Sequence, residues 1–166
     1  MKSIILRQHE VAQLSETGIV MVVRPVKPQP PSKYDWLGWL LDTTGDGKNI
    51  GSGTWTNCVE NVYIRCQFGH AGEFRFVKET WALSHDPYSG YYLHYKAIDN
   101  GQKGTKVYAK DMADGFEKYN SGSWLKWRSS STMPQWASRF SVECTGVKVE
   151  QINGVWSWLN TYKKAG

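Results

Sequence analysis

The feature that most constrains the fold is a run of five apolar residues, IVMVV at positions 19–23, which stops at Arg24. β-Branched residues dominate the run, and Gly18 and Pro25 bound it, so the run predicts a strand rather than a helix. Because no polar residue interrupts it, the pattern also predicts that this strand is buried on both faces.

Short strands of this kind are predicted along the rest of the chain. Apolar and polar residues alternate, or a short apolar run occurs, at residues 4–6, 61–66, 74–78, 91–97, 140–152 and 155–159. Helical spacing predicts one short helix at 8–16, which Gly18 ends, and a second helix is predicted around 110–118. Six or seven strands with one or two packed helices predict an α+β fold built as a small, partly open β-barrel.

Length and composition predict one globular domain, residues 1–166, because 40% of the 166 residues are apolar and 21% are charged. No apolar run approaches the roughly 18–20 residues that cross a bilayer. The N-terminus lacks the pattern of a secretory signal, so a soluble, cytoplasmic protein without a membrane partner is predicted. Three cysteines at irregular spacing predict buried free thiols rather than a metal site. Neither a metal nor a cofactor is predicted.

The charge balance favours a polyanionic partner. The formal net charge is +5 and the sequence pI is about 9.1, which points mildly towards nucleic acid. The nine Trp and nine Tyr residues either fill a β-rich core or offer flat faces on which bases stack. The stretch GDGKNIGSG at 45–53 lacks the Walker spacing of a phosphate loop, so it predicts a surface hairpin.

Three stretches resemble one protein family. They read KPQPP at 27–31, IRCQFGHAGEFRFVKETWA at 64–82 and STMPQWASRFSVECTGVKVEQI at 131–152. In this order they resemble the ASCH-type proteins of bacteria and phages, which belong to the PUA-like superfamily. The resemblance implies a small β-barrel with a cleft for a nucleotide or nucleoside, an insert at about 33–60 in this chain, and a phage or prophage origin. Some members of the family hydrolyse acetylated cytidine or act on RNA.

The family's catalytic motif is poorly matched. It resembles Gly-x-Lys-x-x-Thr-x-Arg just after the first helix, and with residues 27–28 setting the register, Ile19 stands at the Lys position and Val22 at the Thr position. Only Arg24 matches. The helix that carries a catalytic Glu in the family has no counterpart, because residues 153–154 lead directly into a strand. Hydrocarbon side chains cannot carry a proton or stabilise developing charge, so the family's hydrolytic mechanism is not expected here.

The resemblance leaves binding residues in the implied cleft, whose types suit stacking on a base or gripping a phosphate. The predicted nucleic-acid-binding residues are Arg24, Lys27, Lys78, Trp81, Arg128, Trp136, Ser138 and Arg139. Each has a structural alternative: Trp81 and Trp136 are equally typical of a core, and Arg139 can pair with Glu79. Glu79 is the acid/base candidate if the chain is an enzyme, although a carboxylate in a strand beside cations is more typically an ion-pair partner.

Three functions follow from these residues. The leading hypothesis is a catalytically silent ASCH/PUA-like domain that binds RNA, single-stranded DNA or a modified nucleoside in a basic, aromatic-lined cleft. The second is an ASCH-type hydrolase, an acetylcytidine amidohydrolase or ribonuclease, with a rearranged site that uses Glu79. The third is a phage protein that binds and blocks a host protein, with the aromatic residues of 34–41 as anchors.

Overall fold

The structure is a computed structural model that describes residues 1–39, 52–97, 105–107 and 125–166, with 105–107 described at the backbone only. The chain forms two compact units that interleave along the sequence. The first unit consists of Met1–Val20, Phe74–Val142 and Lys164–Gly166, and the second unit consists of Met21–Glu73 and Glu143–Lys163.

The described residues contain eleven strands and one α-helix. In chain order these are β1 (Lys2–Ile5), α1 (Gln8–Thr17), β2 (Ile19–Pro25), β3 (Asp35–Trp39), β4 (Ser52–Thr56), β5 (Asn61–Arg65), β6 (Phe74–Lys78), β7 (Trp81–Asp86), β8 (Gly90–Tyr95), β9 (Thr105–Val107), β10 (Ser141–Ile152) and β11 (Val155–Lys164). Two short 3₁₀ turns, Ser130–Thr132 and Gln135–Ala137, precede β10.

Helix α1 confirms the helix predicted at 8–16. Its first turn is capped because the Arg7 backbone N–H donates to the Glu10 carboxylate at 2.7 Å. It ends at Gly18, whose φ of 74° is readily adopted only by glycine and whose N–H donates to the Leu14 carbonyl. Val11 and Leu14 are fully buried, so the packing of one face adds to the weak intrinsic stability of so short a helix.

Strand β2 confirms the strand predicted from the apolar run, but the prediction of burial on both faces is wrong. Val20 and Val22 are fully buried, whereas Ile19 is 46% exposed and Met21 is 52% exposed. Successive side chains of a strand point to opposite faces, and only one face of β2 is covered. The apolar run therefore carries two exposed hydrophobic residues.

In the first unit, β1 pairs with β6 in parallel, from Lys2 opposite Arg75 to Ile5 opposite Lys78. Strands β7 and β8 form an antiparallel hairpin that runs from the Trp81–Tyr95 pair to the Asp86–Gly90 pair, and β9 pairs with β8. A hydrophobic cluster covers one face of this hairpin. Its buried members are Trp81, Leu83, Leu93, Tyr95, Met133 and Ala137.

In the second unit, β3, β4 and β5 form an antiparallel sheet. Strands β10 and β11 are neighbours joined by Asn153 and Gly154, whose positive φ angles of 49° and 77° suit a two-residue hairpin turn. Strand β2 lies beside β11. The buried core residues are Val26, Trp55, Ile64, Cys66 and Trp158.

The described residues are mostly sheet with one helix, which agrees with the predicted α+β class. Among them there is no closed barrel, and the PUA-like barrel is not confirmed. There are eleven strands rather than six or seven. Four strands were not predicted: β3 and β4, which lie in the predicted insert at 33–60, β7 and β9.

Several smaller predictions can be compared with the structure. Cys66 and Cys144 are buried free thiols as predicted, but Cys58 is exposed, because it lies in a turn with a positive φ of 70°. The strand predicted at 140–152 is confirmed as β10, which continues through Gly146. The helix predicted around 110–118 and most of the hairpin predicted at 45–53 lie outside the described residues.

Candidate nucleic-acid interface

The predicted binding residues of the first unit gather at the end of the β7–β8 hairpin that lies away from its turn. We call this region the hairpin base and define it as residues 78–81, 95–97 and 126–140. Backbone hydrogen bonds join its parts: Trp81 and Arg128 each donate to the other's carbonyl, at 3.3 and 2.8 Å, and the Lys96 N–H donates to the Thr80 carbonyl at 3.0 Å. The extended chain before β10 is thereby fixed against β7.

Side chains fix the same segment at further points. Lys78 Nζ donates to the Ser131 carbonyl at 3.1 Å, and the Tyr95 hydroxyl donates to the Ala137 carbonyl at 3.0 Å. The Ser138 hydroxyl lies 2.7 Å from the Val77 carbonyl. Two predicted binding residues, Lys78 and Ser138, therefore hold the backbone together in this structure.

Glu79 and Arg139 form a buried, bidentate ion pair at the centre of the hairpin base. Arg139 Nε donates to Glu79 Oε1 at 2.7 Å and Nη2 donates to Oε2 at 2.9 Å, although the two residues are 60 positions apart. The Glu79 side chain is only 3% exposed. Burial raises the pKa of the Glu79 carboxyl, and the hydrogen bonds and charge of Arg139 oppose that rise. The structural alternative for both residues, an ion pair, is present.

Arg139 is also held between aromatic rings. Its guanidinium carbon lies 4.8 Å from the Tyr95 ring centroid and 4.5 Å from that of Phe140. Lys164 Nζ lies 4.6 Å from the same Phe140 centroid, so two cations contact one ring. The pairing with Glu79 uses Nε and Nη2, which leaves the N–H groups of Nη1 for another acceptor. The Arg139 side chain is 17% exposed, enough for such an acceptor to approach from solvent.

The predicted stacking residues Trp81 and Trp136 differ in exposure. Trp81 is fully buried, and its ring meets that of Trp136 edge to face, with centroids 6.0 Å apart. Trp81 therefore presents no surface to a base in this structure, which is a correction to its predicted role: the tight packing of the first unit's core covers the ring. Trp136 is half-buried against the same core.

Sequence reasoning missed a cation–aromatic group at the hairpin base. The ring of Trp127 is half-buried, and Lys96 Nζ lies 5.9 Å from its centroid. Lys126 is exposed and Arg128 is half-buried on either side of Trp127. The triplet KWR at 126–128 was the available signal, since basic residues beside an aromatic ring are typical of surfaces that bind single strands.

Arg24 and Lys27 belong to the second unit, so they are described apart from the hairpin base. Arg24 is half-buried and its Nη1 donates to the Val23 carbonyl at 2.9 Å. Lys27 is exposed. Of the aromatic residues of 34–41 predicted as protein-binding anchors, Trp39 is 37% exposed, and Tyr34 and Trp36 are half-buried. Residues 40 and 41 lie outside the described residues.

Positive charge is unevenly divided between the two units. The first unit contains 13 Lys and Arg against 8 Asp and Glu, a difference of +5, whereas the second unit contains 7 of each. The net charge of the chain therefore belongs to the unit that carries the hairpin base. Within the hairpin base the cations are Lys78, Lys96, Lys126, Arg128 and Arg139.

The described residues provide few of the groups that a hydrolase uses. His94 Nε2 lies 2.8 Å from the Ser84 hydroxyl across the β7–β8 hairpin, a contact that sequence spacing did not reveal. By itself this is a cross-strand hydrogen bond, since acyl transfer also needs donors aimed at the developing oxyanion.

No group of three or more potential metal ligands occurs in the part of the chain that the structure describes. Within that part, α1 is too short and too polar to traverse a bilayer.

Comparison of the chain with protein-family models, curated proteins and solved structures finds no match in any of the three. The resemblance to the ASCH-type proteins therefore depends on the three quoted sequence stretches alone.

Tyr95 provides a test of the described packing at the hairpin base. Burial, followed by the charge of Glu79, raises the pKa of Tyr95 from 10.0 to about 12, and Arg139 opposes the rise. Because the folded pKa is above the unfolded one, the stabilisation is complete below pH 10 and is lost as the pH rises towards 12. A rise of the pKa from 10.0 to about 12 corresponds to about 3 kcal/mol of stability.

We expect Tyr95 to ionise near pH 12, well above the ordinary tyrosine value of 10.0. Alkaline titration followed by tyrosinate absorbance, in the native protein and in Tyr95→Phe, measures this directly. The difference between the two curves should appear near pH 12. A difference centred near pH 10 would contradict the buried, hydrogen-bonded phenol.

Proposed function

We propose that this chain binds single-stranded RNA or DNA through the hairpin base of its first unit, as a catalytically silent domain of the ASCH-type, PUA-like class in the cytoplasm. The observation that carries the proposal is the concentration of the whole +5 charge in the first unit. A local excess of cations attracts a polyanion and releases its counterions on binding.

Arg139 supports phosphate binding in particular. Its guanidinium is already held by the Glu79 carboxylate and by the rings of Tyr95 and Phe140. An arginine fixed in this way loses little conformational entropy when a phosphate accepts from its remaining N–H groups. Lys164, on the Phe140 ring, adds a second, exposed cation close to it.

The same residues argue against catalysis. Glu79 engages Arg139 with both carboxylate oxygens, so proton transfer at this group has to compete with the ion pair. Ile19 and Val22, at the positions of the family's Lys and Thr, have no titratable or hydrogen-bonding group in their side chains. Binding without turnover is the function that these side chains support.

Fluorescence anisotropy of labelled single-stranded oligonucleotides tests the proposal. We expect binding at about 50 mM salt that weakens steeply by about 200 mM, because each single-strand phosphate contact contributes about 0.7 to the slope of log affinity against log salt. The double variant Lys96→Glu with Lys126→Glu removes two cations of the hairpin base, so its slope should fall by about 1.4. Both side chains are exposed, so the fold should be retained.

The matched control is Lys148→Glu with Lys163→Glu. These lysines are also exposed, belong to the second unit, and change the net charge by the same amount. The control should bind nearly as tightly as the native chain. The proposal would be overturned if both double variants lost the same amount of affinity. It would also be overturned if the native chain bound neither RNA nor DNA at low salt. Binding of a free nucleoside without salt dependence would do the same, because a nucleoside has no phosphate.

A further inference from the structure

Trp127 is a half-buried aromatic residue of the hairpin base whose described contact is with a cation, whereas Phe140, which also contacts cations, is only 7% exposed. Two backbone hydrogen bonds between Arg128 and Trp81 fix the chain next to it. Its ring is half-buried, and Lys96 Nζ lies 5.9 Å from the ring centroid. The Lys96 side chain itself is exposed, so a ligand can displace the Lys96 ammonium from the ring.

The strength of the two competing contacts decides whether a base can replace Lys96. A cation–aromatic contact at an exposed site contributes roughly 2- to 5-fold to an equilibrium constant. Stacking of a nucleobase on an aromatic side chain contributes roughly 5- to 150-fold. Stacking of a base is therefore the stronger of the two contacts.

We propose that Trp127 is the base-stacking platform of this interface, and that Lys96 moves from the Trp127 ring to a phosphate when a base stacks. The inference rests on the proposed function and adds to it the residue that recognises bases. Trp81, the residue suggested by sequence, is excluded by its complete burial, and Trp136 packs against the core cluster. The ligand class is a single strand with unpaired bases, RNA or DNA.

Two properties follow from recognition by stacking. Every base has an aromatic face, so binding should depend little on sequence. A duplex hides these faces by pairing and stacking its own bases, so it should bind more weakly than a single strand of the same phosphate count. A strand without bases should keep the phosphate contacts and lose the stacking.

The test compares an oligodeoxythymidine of about 12 nucleotides with an abasic strand of the same length. We expect the native protein to bind the oligodeoxythymidine roughly 5- to 150-fold more tightly. Trp127→Ala should remove most of this difference while leaving the affinity for the abasic strand unchanged. Trp127→Phe should retain much of it, because a smaller ring still stacks.

The readouts separate the two proposals. If the native protein binds neither of these strands nor an oligouridine of the same length, the proposed function fails. If it binds both strands equally, or if Trp127→Ala keeps the native preference, the stacking role of Trp127 is overturned and the phosphate interface remains. Circular dichroism identifies a variant that has not folded, and in that event Trp127→Leu, which keeps an apolar side chain without a ring, takes the place of Trp127→Ala in the comparison. Trp39→Ala, which truncates a 37% exposed tryptophan of the second unit, is the matched control and should keep the native preference.

Discussion

Replacing Arg139 with alanine should lower the free energy of unfolding by about 3–5 kcal/mol, the typical cost of leaving one partner of a buried ion pair uncompensated. Glu79 is the residue left behind, with a side chain only 3% exposed. Its carboxylate would lose both hydrogen bonds of the guanidinium, at 2.7 and 2.9 Å. The rings of Tyr95 and Phe140 would also lose their contact with the guanidinium.

The dependence of this loss on pH identifies its cause. Arg139 lowers the pKa of Glu79, which burial raises, so removing Arg139 raises the folded-state pKa further. A carboxyl with a raised folded pKa favours the folded state at low pH and loses this contribution as the pH rises. Urea unfolding of Arg139→Ala and the native protein should therefore differ less at about pH 5 than at about pH 7.

A double-mutant cycle provides the control for the ion pair. Adding Glu79→Gln to Arg139→Ala removes the buried charge, so the double variant should be more stable than the sum of the two single losses predicts. A loss below about 1 kcal/mol in Arg139→Ala, or an equal loss at both pH values, would show that the pair behaves like an exposed one.

Replacing Trp55 with alanine should lower the free energy of unfolding by about 3–5 kcal/mol, the range for deleting a large buried ring from a core. Trp55 is fully buried, and its ring meets three others edge to face: Trp36 at 4.9 Å, Trp158 at 5.7 Å and Trp156 at 6.1 Å. Packing here is tight enough that a Cβ added to Gly53 would lie 2.5 Å from the Trp36 ring. The surrounding rings are too rigid to close the cavity completely.

Trp39→Ala is the matched control for Trp55→Ala. Trp39 is 37% exposed and stacks on Trp158 with centroids 5.5 Å apart, so less apolar area is lost when it is truncated. Denaturant unfolding of the two variants should give a loss at Trp55 at least twice that at Trp39. Equal losses would mean that Trp55 is not the centre of this cluster. Trp55→Phe should cost less than alanine, since it keeps a ring and removes an indole N–H that has no described hydrogen-bond partner.

Part of the secondary structure could be predicted because it depends on residues that are close together in the sequence. Helix α1 and its end at Gly18 follow from spacing within a few turns, and strands β2, β5 and β6 follow from local patterns. Strand β7 and the strands of the predicted insert were missed, because their residues do not alternate and their pairing depends on partners elsewhere in the chain. Exposure of Ile19 and Met21 was missed for a related reason: the apolar run does not reveal that one face stays uncovered.

The amino-acid sequence alone determined the excess of positive charge, the wealth of aromatic rings, the first helix and the absence of a proton carrier at Ile19 and Val22. These properties depend on residue type or on neighbours along the chain. Tertiary structure decided between alternatives that the sequence left open: Arg139 pairs with Glu79 across 60 positions, and Trp81 is covered. It also showed, without a sequence prediction, that Trp127 lies against Lys96. Whether a cation is paired or a ring is exposed depends on what packs against it, and distant segments of the chain supply that packing.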